Sequence, residues 1–188
     1  VICAASSLSA LAARPGAWEN SVKGYGDANA ITASGTITLT ADRAYAVQFL
    51  AAVDSEVDAI AFRVTTAGAA GKLAKAAIFS IGNDGLPGVN LAESGTVAVD
   101  STGLKLATFS RFSPPPTYFA CLLSNGAPII SASPAGINCA QTMGVDGSMV
   151  MASGIYHVGA TGLSFPATGT PTAILFNGQR PLLLARCV

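Results

Sequence analysis

The chain has 188 residues, 51% of them hydrophobic and only 11% charged, with ten Lys plus Arg balancing ten Asp plus Glu. That is one domain's worth of chain with material for a core, and the lack of any basic run excludes binding to a phosphate backbone. High hydrophobicity with balanced charge excludes intrinsic disorder, and Gly, Pro, Asp or Arg interrupts every stretch approaching the roughly 20 apolar residues of a membrane span.

Residues 1–33 are rich in Ala and Ser, with Pro15-Gly16 and two aromatics, Trp18 and Tyr25. They read as an N-terminal arm or linker, with one helical turn at Ser7 to Ala13, ahead of a domain over 34–188. From there short strands alternate with turns. Thr36 to Thr40 alternates polar and apolar, the period of a half-buried strand, and Arg43 to Leu50 follows after a Thr-Ala-Asp turn. Val57 to Thr66 puts Val57, Ala59, Ala61 and Arg63 on one side and Asp58, Ile60, Phe62 and Val64 on the other. The second side is the more apolar and is expected to face the core. Lys72 to Ile81 has helical propensity in its Ala, Leu and Lys. Its Ile78-Phe79-Ser80-Ile81 end, running into the loop Gly82 to Gly88, argues for a strand instead.

Further strands are expected at Gly95 to Asp100, Leu104 to Ser110, Thr117 to Ser124, Ala127 to Ser131, Met149 to Tyr156, Pro171 to Phe176 and Leu182 to Cys187. Spacings of about ten residues with Gly, Pro, Asn and Asp between them signal an all-β antiparallel β-sandwich or barrel. No amphipathic helix separates the strands, which disfavours a parallel α/β fold. Charge is unevenly spread: from Ser113 onward only Asp146, Arg180 and Arg186 carry it. A surface so poor in charge fits a face covered by copies of the chain or by another subunit.

Few constellations carry chemistry. The single histidine, His157, has no G-x-S-x-G elbow to serve, and a base needs both a nucleophile and an orienting group. Asp54, Glu56 and Asp58 share one side of an extended segment and could hold a calcium ion through oxygen ligands, or simply form a charged, solvated edge. No other cofactor is indicated. Asn83-Asp84-Gly85 is oxygen-rich, but the same residues make an ordinary turn. Gly24-Tyr25-Gly26 lacks the third glycine and the strand–helix context of a dinucleotide site. Trp18, Tyr25, Tyr118 and Tyr156, with His157 beside the last, are the residues able to stack on a sugar ring, although most aromatics in a sandwich are core. Cys3, Cys121, Cys139 and Cys187 have no metal or redox spacing. They read as reduced and structural, with Cys121 a small hydrophobe in an apolar run.

One order of features resembles a known type. Asp58 to Gly68 is followed by Ala77-Ile78-Phe79-Ser80, then Gly85-Leu86-Pro87-Gly88, Leu91, Gly95-Thr96-Val97-Ala98-Val99 and Ser101-Thr102-Gly103. This is similar to the β-sandwich modules of tailed-bacteriophage virion proteins, in tail fibres, receptor-binding proteins and head fibres or decoration proteins. Ser164-Phe165-Pro166 with Arg180 to Arg186 is similar to the closing strand of such domains. The resemblance implies a jelly roll. It also implies a non-enzymatic virion protein, favoured as a homotrimer, that meets other virion proteins or a host surface glycan. The alternative is a carbohydrate-binding module of a secreted enzyme.

Overall fold

The computed structural model describes residues 18–20, 35–50, 56–83, 85–132, 155–160, 162–169, 171–175 and 181–187. The strands are β1 (Trp18–Asn20), β2 (Gly35–Thr38), β3 (Arg43–Leu50), β4 (Val57–Thr66), β5 (Leu73–Ile81), β6 (Pro87–Glu93) and β7 (Val97–Ala98). They continue with β8 (Gly103–Phe112), β9 (Thr117–Ser124), β10 (Ile129–Ala132), β11 (Ile155–Gly159), β12 (Pro171–Leu175) and β13 (Leu184–Cys187). No helix occurs among the described residues. Two antiparallel sheets result, and eight of the strands wind as a jelly roll: β2-β10-β4-β8 in one sheet and β3-β9-β5-β6 in the other.

The other strands are additions to that frame, and they explain where the site lies. On one edge of β4, β10 covers only Val64–Thr66, while β13 covers Val57–Ala61. The chain leaves this line at Ala132 and returns at Pro181. There the two residues form an antiparallel bridge, and the Leu182 N–H donates to the Ser131 carbonyl at 2.9 Å. The next strand out is divided in the same way, β2 pairing with β10 and β1 with β13. The jelly roll's last strand is thus in two pieces, and the intervening chain goes to the opposite sheet. There β11 and β12 extend the edge beyond β3, and Ala160, Leu163 and Phe165 lie on the sheet's outer face.

Two cores follow. Between the sheets, Ile60, Phe62, Val64, Leu183 and Ala185 meet Tyr45, Val47, Phe49, Ile78, Tyr118 and Leu122. On the outer face of the second sheet, Ala44, Ala46, Phe79, Phe119, Cys121 and Leu123 are covered by Phe165 and its neighbours. Strand β9 is therefore buried on both faces, which is why it reads Tyr-Phe-Ala-Cys-Leu-Leu without polar alternation. Part of the uncharged second half of the chain is accounted for within the chain itself.

The alternation of β4 places Ile60, Phe62 and Val64 inward as expected. Val57 also turns inward, against the simple period, because the register shifts beside Asp58 on both edges of the strand. Such a bulge reverses the parity of everything beyond it. The stretch from Leu73 to Ile81 is strand rather than helix. Two expectations need correction. Residues 82–88 were to be all loop, yet Pro87 begins β6, a position where a missing N–H is tolerated. The strand expected over Gly95 to Asp100 shrinks to β7. Within the N-terminal arm, Trp18–Asn20 forms β1; the helical turn expected at Ser7 to Ala13 lies outside the described residues.

Candidate functional site

Where β13 gives way to β10, Phe62 and Arg63 have no partner in register on that edge of β4. The two incoming strands turn toward each other instead, and a depression of about 520 Å³ opens on the outer face of the first sheet. Strand β4 supplies Phe62, Arg63 and Thr65, β10 supplies Ser131, Leu182 comes from the approach to β13 and Leu184 from its first position. Leu104 of β8, in register with Arg63, forms the far wall and is 64% exposed. The volume falls within the roughly 300–1,000 Å³ of small-molecule sites.

The polar groups of this depression are largely free to act. Arg63 is exposed and forms no ion pair among the described residues. Ser131 is buried to 8% exposure, and its hydroxyl makes no hydrogen bond among the described residues, so it lines the depression with unused capacity. Thr65 donates its hydroxyl to the Ile129 carbonyl at 3.1 Å, leaving its lone pairs to accept. All of these sit on strands, which hold position better than loops do.

The expected site residues are distributed differently. Tyr118 is a correction: it is fully buried between the sheets and stacks on Phe49, with ring centroids 5.4 Å apart and planes 16° from parallel. Its flat face is used by the core and cannot receive a sugar. Trp18 lies in β1, and Tyr156 and His157 lie in β11 opposite Ala46 and Tyr45. Their backbones are on different sheets; their side chains, like Tyr25 as a whole, lie outside the described residues. Trp18 belongs to the sheet that carries the depression, on the strand next to β13, and Tyr156 and His157 belong to the other sheet.

Of the three candidate calcium ligands, Asp54 lies outside the described residues. Asp58 accepts two hydrogen bonds from Arg186, Nε to Oδ1 at 2.6 Å and Nη2 to Oδ2 at 2.8 Å. That bond, more than the charge itself, holds the Arg186 pKa above its ordinary value, against a smaller opposing effect of burial. Glu56 faces Arg111 at 3.6 Å. Both carboxylates are matched to guanidinium groups rather than to one another, and no cluster of three metal-ligating side chains occurs among the described residues. Among the other acids with described side chains, Glu93 pairs with Lys75 and Asn90, Asp100 accepts from the Gly71 N–H and Asp42 from the Gly162 N–H. Cys121 is a free thiol, as expected, and burial pushes its pKa well above the usual thiol range.

Alternation assigned Arg63 to the outward side of its strand. Nothing in the sequence signalled that Leu104, Ser131 and Leu182 would join it, because a break between two pieces of one strand assembles them.

The architecture is therefore a jelly-roll sandwich with a ligand-sized depression at a divided strand. No family model matches the chain, and no curated protein matches it. Among solved structures it is similar to the clostridial cysteine protease Cwp84 after propeptide cleavage, at 13% identity and a TM-score of 0.48, covering 82% of this chain and 37% of that one. A structure of the cysteine protease and lectin-like domains of Cwp84, a surface-layer-associated protein of Clostridium difficile, is similar at 10% identity and a TM-score of 0.46. That match covers 81% of this chain and 33% of the other. The chain spans about a third of the length of these structures. Values this low assign neither an activity nor a residue.

Proposed function

We propose that the chain is a non-enzymatic recognition module that binds carbohydrate through the outer-face depression. The observation that carries this is the combination of an apolar wall, hydroxyls with spare hydrogen-bonding capacity and a guanidinium unpaired among the described residues, all on a rigid sheet. A sugar ring presents C–H faces, hydroxyls and sometimes charge, and such a surface meets each of them. The non-enzymatic part rests on the sequence, where the single histidine has no G-x-S-x-G elbow to serve.

A setting on a phage particle, as a fibre, spike or decoration domain in a homotrimer, is the second reading. Support for it comes from the resemblance of residues 58–103 and the thin charge of the second half. In both settings the depression would face a surface glycan.

Binding to an array of immobilised glycans, followed by calorimetric titration of the hits, tests the proposal. Dissociation constants between about 1 μM and 1 mM are expected, with no release of reducing ends from bound oligosaccharide. Silence across the array and in titration would overturn the glycan reading, and catalytic release of sugar would overturn the non-enzymatic one. Light scattering then separates a trimer from a monomeric module.

A further inference from the structure

We infer that the ligand of the depression is an acidic glycan, with Arg63 holding the carboxylate of a uronate-type residue while Leu104 packs on the ring. This rests on the glycan-binding reading and adds the charge of the ligand and its orientation.

Three arginines with described side chains lie along the β4–β8–β13 face, and they differ in one respect. Arg111 faces Glu56 and Arg186 faces Asp58, whereas Arg63 has no acid across from it among the described residues. None of the described residues lining the depression is acidic. Arg63 stands between Leu104, its neighbour in register, and Leu182 across the strand break. An exposed guanidinium between apolar side chains is accessible to an anionic group whose carbon skeleton can pack on those side chains. The planar fork of Arg matches a carboxylate with two parallel hydrogen bonds.

The remaining groups match the rest of a uronate. Leu104, 64% exposed, offers an apolar side chain to the C–H face of the ring. The Ser131 hydroxyl and the accepting lone pairs of Thr65 are placed for ring hydroxyls. Among the described lining residues Arg63 is the one cation, which suits one carboxylate per binding unit rather than a densely sulfated chain.

The test is calorimetric titration of the whole chain with oligogalacturonate, with the neutral oligogalactose of the same length and with a sulfated oligosaccharide. Wild-type protein is expected to bind the uronate about tenfold or more tightly than the neutral oligomer, and Arg63→Gln is expected to remove that margin. Arg63→Lys should restore part of it, because the charge survives without the fork. Leu104→Ala should weaken both ligands alike. Both positions are exposed, so unchanged unfolding midpoints will certify the fold of each variant.

Equal affinity for neutral and acidic oligomers, or an Arg63→Gln variant that binds the uronate as wild type does, overturns the inference while leaving glycan binding intact. Preference for the sulfated chain overturns the carboxylate assignment. Binding of none of the three, with an array that is also silent, removes the glycan reading beneath it.

Discussion

Phe165 tests the claim that the second sheet is covered on its outer face by the chain's own segment 160–169. Its ring is 6% exposed and meets Phe79 edge-on, with centroids 5.9 Å apart and planes at 64°. Burying a Phe side chain is worth about 1.5–3 kcal/mol, and an edge-to-face pair adds about 0.5–1.5 kcal/mol. Phe→Ala at a closed core site costs about 3–5 kcal/mol. Phe165 sits in a single layer that can settle onto the gap, so Phe165→Ala is expected to cost about 2–3 kcal/mol, nearer the transfer value. With a urea dependence of about 1–3 kcal/mol/M for a chain this size, the unfolding midpoint should fall by about 1–2 M. The same layer lies over Cys121, which shares the cluster. Alkylation with N-ethylmaleimide, mapped by peptide mass spectrometry, should leave Cys121 untouched in the wild type and label it measurably in the variant. A stability change below about 0.5 kcal/mol, the size of an ordinary surface substitution, together with undiminished Cys121 protection, would refute the layer.

Other substitutions probe the divided strand and its supports. Asp58→Asn leaves Arg186 without its anionic partner; both side chains are partly solvated, so the expected cost is only about 0.5–1 kcal/mol. Chemical unfolding should show that cost shrinking at high salt, and a loss independent of salt would mean that the pair acts through packing. A Cβ on Gly169 would lie 2.8 Å from Pro87 Cβ and 3.0 Å from the Pro87 carbonyl oxygen, neither able to swing aside. Gly169→Ala should therefore cost about 1–3 kcal/mol, while Gly95→Ala, with nothing within 4 Å, stays within about 0.5 kcal/mol of wild type in thermal unfolding. The raised pKa of Cys121 has a definite sign. An unfolded thiol ionises near about pH 8.5, the folded one keeps its proton, and stability must fall as pH rises past that value. Wild-type midpoints should drop more steeply than those of Cys121→Ala between about pH 8 and 10.

Much of the sandwich is legible in the sequence because burial on one face imposes a period of two. The β4 run Ile60, Phe62, Val64 and the flanking turn residues are enough to establish strands and their inward sides. The period fails where geometry is not local. Val57 is misassigned by a bulge, and β6 is hidden behind Pro87-Gly88, which belongs as naturally to a loop. Tyr118 illustrates a different difficulty: a tyrosine in an apolar run has the same letters whether its ring meets Phe49 or a ligand. The depression is less legible still. Arg63 and Thr65 are neighbours by alternation, but Ser131 and Leu182 reach them only because Ala132 and Pro181 bring the chain out and back at one point. No composition or spacing encodes that return.

The divided strand also sets an order of events during synthesis. Asp58 and the Arg186 that binds it are 128 residues apart, so the first half of one β4 edge has no partner until that much more chain has been made. At the usual 5–20 residues per second the interval is roughly 6–25 s. Throughout it, β8 can cover the far edge of β4 while the near one stays open, flanked by Ile60 and Phe62. An unpaired apolar edge recruits other strands. Nascent copies held close together on one message would meet through that edge before each receives its own β13.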